Sequence, residues 1–482
     1  MDDDAFRDWA VRAAQWGADY RGGLRERPVR AQVAPGTVAA TIAASPPEAA
    51  EPMEAIFADF EQDVVPGMTH WQHPRFFAYF PANAAPASVV AEYLVSSMAA
   101  QCMLWQTSPA ATELETRMVD WLRQALDLPE RFTGSIQDSA SSATLNAVLV
   151  MRERALDWAG NREGLFEQFR LRVYCSGEVH TSIDRAIWVS GIGEQNLVRI
   201  PVAGPNRAMD LERLEAAILS DLAAGYMPAG IIACVGGTSV GATDDIAGVV
   251  ALRDRLSDEL KARGIPLRPY VHVDAAWAGS AMICPEYRAV WRGAEGADSI
   301  VFNPHKWLGA QFDCSVQFVA SPQELVKTLA IQPEYLKTQG ADGVINYSEW
   351  SVPLGRRFRA LKLWFLMRAY GLEHLRGMIR NHVAWARSVH DRLAAEPDFE
   401  IVTPPMLSLF TFRHRPPAGV DADAHNLDLL RRINDDGRIY LTQTKVDGQV
   451  AIRFQAGAFD MRAEDADAAF TVIRELAGPQ AG

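Results

Sequence analysis

Between residues 171 and 304 four short apolar runs, "LRVYCS", "GIIACVGG", "YVHVDAA" and "SIVFNP", are separated by stretches of helical period such as "GVVALRDRLSDELKARG". Each run is too short for a helix and rich in Val, Ile and Tyr, so each reads as a strand of a buried sheet. Strands alternating with helices join as parallel βαβ units, which commits this part of the chain to an α/β fold with a doubly wound, mostly parallel sheet. Ligands of such sheets sit at the carboxyl ends of the strands. "GGTS", "DAAWAG" and "NPHKW" all fall at those ends.

The flanks have a different texture. Residues 1–84 open with "DDAFRDWAVRAAQWGADYRGGL", where Phe6, Trp9, Ala13 and Trp16 recur at helical spacing and Gly22-Gly23 ends the run. This reads as an arm that docks on something larger. Residues 85–379 form the large domain, in which "TELETRMVDWLRQAL" carries Thr112 and Glu115 at capping-box spacing. Residues 380–482 alternate helix and strand pairs, with a hairpin turn at Asp447-Gly448 and a terminal helix, and read as a small α+β domain. A length of 482 residues accommodates these regions.

A formal net charge of −13 argues against nucleic acid or an anionic membrane as the main partner. No run of about 18 uncharged apolar residues suggests a membrane span. The acidic opening "MDDDAFRDWA" does not read as a signal or transit peptide. Cys102, Cys175, Cys234, Cys284 and Cys314 are an odd number without a C-x-x-C pair, which suits reduced thiols in the cytoplasm.

"SIVFNPHKWL" poses the chemical question. A lysine at the end of a buried strand is expensive to desolvate unless it is paired or used as an amine. Asp274 ends another strand one βα step earlier, 32 positions away (306 − 274). A carboxylate and a lysine at two strand ends suit pyridoxal 5′-phosphate, with Lys306 forming the Schiff base and Asp274 pairing with the ring nitrogen. Ser139, Ala140, Ser141 and Ser142 precede a helical run and could hold a phosphate. His180 follows a strand and could cover one ring face, while Thr238 and Ser239 could reach the ring hydroxyl or phosphate.

Taken singly these residues have plainer readings. A lysine beside a tryptophan is commonly a surface residue, and a lone histidine is commonly a hydrogen-bonded core residue. His70 and His73 in "HWQH" lack ligand-spaced carboxylates or cysteines, so packing is favoured over a metal. "GGTSVG" lacks the Gly-Lys-Ser/Thr of a P-loop. Only the combination of Lys306, Asp274 and the serine-rich segment reverses the odds.

Together with "THWQHPRFFAYFPANA", "LWQTSPAATELETRMVDWL", "QDSASSATL", "VHTSIDRA", "FNPHKWLGAQFDCS", "EYLK", "PLGRRFRALKLWFLMRAYG" and "IRFQ", these motifs make nearly the whole chain resemble the pyridoxal-phosphate-dependent group II decarboxylases, and among them the aromatic-L-amino-acid decarboxylases. The resemblance implies the fold-type I (aspartate aminotransferase-like) architecture and an intertwined homodimer. It implies that Lys306 holds the cofactor, Asp274 faces the ring nitrogen, Ala276 packs under the ring and His180 stacks on it. Thr238 would lie near the ring, with Ser139, Ala140, Ser141, Asn303 and His305 around it and its phosphate. Tyr335 would be the proton donor, on a loop that serves the partner subunit. Trp71, Tyr79, Phe80, Pro81, Ala82, Met103, Gly355 and Arg453 would line the substrate side, with no metal. Arg356, Arg357 and Arg359 are expected in interface or structural pairs.

Some positions depart from the family pattern. Ala82 and Asn83 stand where animal relatives carry Thr, and Gln101, Met103 and Leu104 alter the ring-binding floor. Gly355 resembles the type that goes with indolic substrates. Asp138 replaces the more usual glycine, and is expected to turn from the phosphate and cap the helix start. The implied reaction is decarboxylation of an aromatic amino acid (tryptophan, DOPA, tyrosine or phenylalanine) to the arylalkylamine. An aldehyde synthase, an aminotransferase, a catalytically dead scaffold or a decarboxylase of another amino acid such as glutamate is the alternative. Tyr335 and His180 speak against the aldehyde branch, in which the tyrosine is typically phenylalanine or the histidine is replaced.

Overall fold

In the computed structural model, residues 1–262, 264, 265, 267–331 and 343–478 are described. The large sheet comprises β1 (Thr133–Gln137), β2 (Leu171–Ser176), β3 (Leu197–Ile200), β4 (Met227–Cys234), β5 (Tyr270–Asp274), β6 (Ser299–Phe302) and β7 (Ser315–Val319), in the order β1-β7-β6-β5-β4-β2-β3. Neighbours from β6 to β3 pair in parallel, while β7 runs antiparallel to both β6 and β1. The four apolar runs are β2, β4, β5 and β6. β1 and β7 escape the pattern because "TGSIQ" and "SVQFV" carry Ser and Gln among few apolar residues, and β3 is a four-residue edge strand.

The chain divides into two compact units, Ala82–Asn381 and Met1–Pro81 with His382–Gly482. The arm expected at residues 1–84 therefore shares a unit with the C-terminal segment. Its helix α1 (Asp3–Gly22) is capped by Asp2, whose side chain accepts the Ala5 N–H, and it buries no residue completely. Trp9 and Trp16 contact Phe57 and Phe60 at 5.5 and 4.9 Å. Asp465, fully buried, binds Arg25 and Arg75 at 2.9 and 3.0 Å. The backbone of Phe77 donates to Tyr440 and accepts from Gln455. The rest of this unit has helices Ala422–Asp436 and Ala463–Ala477 and a four-stranded antiparallel sheet, β8 (Phe399–Met406), β9 (Leu409–His414), β10 (Thr442–Val446) and β11 (Gln449–Gln455), in the order β8-β9-β11-β10. Asp447 and Gly448, with φ of 50° and 82°, make the hairpin turn between β10 and β11.

In the unit of residues 82–381 the helices that matter for the site are α2 (Pro86–Met98), α3 (Pro109–Ala125) and α4 (Ala140–Ala155). The expected capping box of α3 does not form. Ser108 is the N-cap and Pro109 opens the helix, so Thr112 lies inside the first turn, donating to the Ser108 carbonyl. Glu115 turns inward instead. Its carboxylate accepts the Ile136 N–H of β1 at 2.8 Å and the Arg356 guanidinium at 2.5 Å. Arg356 also donates to the Ile136 carbonyl at 2.9 Å. Burial pushes the Glu115 carboxyl up while Arg356 pulls it down. Arg357 and Arg359 pair with Glu92 and Asp313 at 2.6 and 2.8 Å.

The Glu115–Arg356 pair is almost fully enclosed, so removing one partner strands the other charge. Glu115→Ala is expected to lower stability by about 3–5 kcal/mol in urea-unfolding measurements.

Candidate active site

Five strand ends open at the residues expected to carry chemistry. Along β5 and beyond, residues 270–284 are buried except Ala276, and residues 297–310 are buried except Lys306. Residues 228–242, which include most of β4, are buried except Thr238 and Ser239. β1 is followed by partly exposed Asp138, Ser139, Ala140, Ser141 and Ser142, and β2 by exposed His180. A cleft over the carboxyl edge of the sheet explains this pattern, since the sheet itself leaves no other surface there.

Backbone bonds set the spacing of the cleft's groups. Cys234 on β4 pairs with Asp274, and Asp274 with Val301 on β6. Past the strands, Asn303 N–H donates to the Ala276 carbonyl at 2.9 Å and Lys306 N–H to the Asn303 carbonyl at 2.9 Å. Asp274 accepts the Ala276 N–H at 3.0 Å, which turns the chain just where Ala276 reaches the surface. Gly236, at φ 76°, lies against the Trp277 ring, where a Cβ would come within 2.9 Å.

His180 Nδ1 accepts the Ser182 N–H at 3.1 Å and lies 2.9 Å from the Ser182 hydroxyl, which puts the proton of the neutral ring on Nε2. Desolvation holds His180 below the ordinary imidazole value; Asp274 opposes this and Lys306 adds to it. The three groups therefore share one electrostatic neighbourhood. His305 is buried, and its Nδ1 accepts the Cys314 N–H at 2.8 Å. Burial, with help from Lys306 and Lys362, lowers it to about 3. Asn303 is also buried, and its carbonyl oxygen accepts the Ser315 hydroxyl at 2.7 Å.

At the start of α4 the cap is Ser139, which accepts the Ser142 N–H at 3.2 Å. The expectation that Asp138 caps this helix is thus corrected: Asp138 instead accepts the Ser139 hydroxyl, at 3.2 Å. Ser139 suits the cap better because its extended backbone points the short hydroxyl at the third amide.

The substrate-side residues divide between the two units. Trp71, Tyr79, Phe80, Pro81 and Arg453 lie together in one. Trp71 stacks between Phe76 and Tyr79, at 4.6 and 5.8 Å. Tyr79 sits at φ 46°, a strained value for an aromatic residue, and Arg453 donates to its carbonyl. Arg453 also lies over the Phe80 ring at 4.6 Å; burial lowers it to about 9, so it remains a cation near neutrality. Ala82, Met103 and Gly355 lie in the other unit, where a Cβ on Gly355 would meet Gln101 Nε2 at 3.2 Å. Tyr335 lies outside the described residues. His70 and His73 are hydrogen-bonded, to Tyr20 and to the Arg75 N–H.

Residues 35–415 match the model of the pyridoxal-dependent decarboxylase conserved domain. The chain belongs to the pyridoxal-dependent decarboxylase family. It is 36% identical to tryptophan decarboxylase 2 of Oryza sativa subsp. japonica, over 99% of this chain and 95% of that protein. It is also 36% identical to phenylacetaldehyde synthase of Arabidopsis thaliana, over 99% and 96%. The crystal structure of Oryza sativa TDC with PLP and tryptamine superposes with a TM-score of 0.93 at 34% identity, covering 99% of this chain and 98% of that one. The protein is a pyridoxal-phosphate-dependent carboxy-lyase of fold type I.

The residues present fit that cofactor. A buried carboxylate, a partly exposed lysine and an open imidazole share one cleft. The amides of Ala140 and Ser141 in the first turn of α4 are not used by the cap, which takes the Ser142 N–H, so they can serve an anion. Two features of this region carried weak sequence signals. Lys362, fully buried, donates to the carbonyls of Gln311 and Asp313 at 3.2 and 3.0 Å and pairs with Glu92 at 2.6 Å. A lysine four residues before buried Leu366 on a helix was the available clue. Asp244 accepts the Cys234 and Met209 amides at 2.7 and 2.6 Å, and the loop pair Asp244-Asp245 gives no such clue.

Because His305 titrates near 3 when folded and near 6.5 when unfolded, the unfolded chain binds the extra proton between those values. Its contribution is intact above about pH 6.5 and is lost as pH falls toward 3. His305→Gln should reduce the acid dependence of the urea midpoint by up to about 1.4 kcal/mol per pH unit in that window.

Proposed function

We propose that the protein decarboxylates aromatic L-amino acids to the arylalkylamine and CO2, with tryptophan ahead of tyrosine, DOPA and phenylalanine. The observation that carries the reading is the electrostatic neighbourhood shared by Lys306, Asp274 and His180, which follow or end β6, β5 and β2 of the one sheet. The aromatic substrate class is supported by the relatives' names. Gly355 supports an indolic preference.

When bound, pyridoxal phosphate supplies an electron sink for the pair left behind as CO2 departs. Lys306 would hold the cofactor through its side-chain amine. Asp274 would accept a hydrogen bond from the protonated ring nitrogen and so keep it charged, and His180, its ring fixed by Ser182, would cover one face. Ser139, Ala140 and Ser141 would take the phosphate, while Thr238, Asn303, His305 and Ala276 would shape the walls. Tyr335 would deliver a proton to the substrate Cα. Arg453 anchors the backbone of Tyr79 and so positions the aromatic side.

The working form is a homodimer in this reading. Its support is helix α2, which buries Ser88, Ala91 and Val95 yet leaves Val89, Val90, Tyr93, Leu94 and Met98 exposed. Five buried free cysteines suit a reducing cytoplasm, and no helix among the described residues is long and apolar enough to cross a membrane.

The aldehyde-forming reading is kept because a phenylacetaldehyde synthase is as similar as a tryptophan decarboxylase. Product analysis by mass spectrometry decides between them. Amine without aldehyde or peroxide is expected from tryptophan, and aldehyde with peroxide would overturn the proposal. Tyr335→Phe should lower amine formation about 100-fold and divert product to aldehyde. Gly355→Ser should lower the tryptophan-to-tyrosine ratio of kcat/KM about tenfold, read from initial rates.

A further inference from the structure

Lys306 lies in a four-residue helix, Pro304–Trp307, too short to satisfy most of its own carbonyls. Two of these are met by a single residue. The backbone N–H of Asn83 donates to the His305 carbonyl at 2.8 Å, and its side-chain Nδ2 donates to the Lys306 carbonyl at 2.7 Å. These carbonyls belong to the two peptide planes that flank the Lys306 Cα. Fixing both planes fixes φ and ψ at Lys306, and with them the direction in which its side chain leaves the backbone. Asn83 is completely buried. The same segment continues along the turn: Ala85 N–H donates to the Gly309 carbonyl at 2.9 Å, and Gln311 N–H to the Ser88 hydroxyl at 2.6 Å.

We propose that Asn83 is a positioning residue for the reactive lysine, holding the backbone of Lys306 so that its amine is aimed into the cleft before the cofactor arrives. The inference rests on Lys306 being the cofactor's lysine. Alanine at position 83 would keep the backbone bond and lose the side-chain one. Aspartate would lose it while ionised and regain it when protonated, since a neutral carboxyl can donate. Burial raises such a carboxyl toward neutral pH.

The test uses cofactor-free protein carrying Asn83→Ala or Asn83→Asp. One readout is the rate at which added pyridoxal 5′-phosphate is captured, followed by visible absorption and by borohydride trapping with peptide mass analysis. The other is amide hydrogen exchange of residues 303–310. Asn83→Ala should capture the cofactor about tenfold more slowly, with faster exchange in that peptide. Asn83→Asp should match it at pH 8 and recover toward the wild-type rate as pH falls, which Asn83→Ala should not do. Wild-type capture and exchange in Asn83→Ala, or no recovery of Asn83→Asp at acid pH, would overturn the proposal. Trapping on a lysine other than Lys306 in the wild type would instead remove its premise.

Discussion

Two backbone hydrogen bonds, Ala275 N–H to the Val301 carbonyl at 3.0 Å and Asn303 N–H to the Ala276 carbonyl at 2.9 Å, stitch together the ends of β5 and β6. They determine where Asp274 and Lys306 stand relative to each other. Because successive side chains on a strand point to opposite faces, a slip of one residue would turn Asp274 away from the cleft. The surrounding burial makes such a slip costly: every residue of β5 and β6 is enclosed, and Val271, Val273, Ile300 and Val301 have no exposed surface. The chemistry is thus held by apolar packing at a distance from it.

Charge is handled in a complementary way. Glu115 with Arg356 and Lys362 with Glu92 are buried pairs whose members also bond backbone carbonyls or amides. Such pairs add little net stability, but each imposes one arrangement of the segments it joins. Arg356 joins α3 to β1. Lys362 grips residues 311 and 313, next to Cys314, whose amide holds His305. The polar residues outside the cleft therefore serve the geometry inside it.

How much of this was legible in the sequence depends on the kind of signal. The strands β2, β4, β5 and β6 announce themselves by continuous apolar runs, and the strand-end residues follow from that topology. β1 and β7 do not, because Ser135, Gln137 and Gln317 are buried polar residues, and Gln137 and Gln317 bond to Trp350 and Asn146, partners that a local pattern cannot contain. The same limit explains the helix start at residue 109. Thr112 and Glu115 have capping-box spacing, yet Glu115 finds a stronger partner in Arg356, 241 residues away. Asn83 was visible only as a departure from a familiar pattern, since the His305 and Lys306 carbonyls that it binds lie more than 200 residues later. Proximity of that kind is a property of the fold and leaves no trace in the spacing of residues.

The antiparallel β7 between β1 and β6 also has a consequence in time. Thr133 of β1 pairs with Val319 of β7, 186 positions later (319 − 133). During synthesis at about 5–20 residues per second, β1 therefore waits roughly 10–40 s for its partner to be made. Until then Ser139 and the first turn of α4 hang from an unpaired strand, and this edge is the last part of the sheet to close. A nascent chain would thus complete the turn that carries Lys306 and the sheet edge that carries Ser139 almost together, with little interval in which one stands without the other.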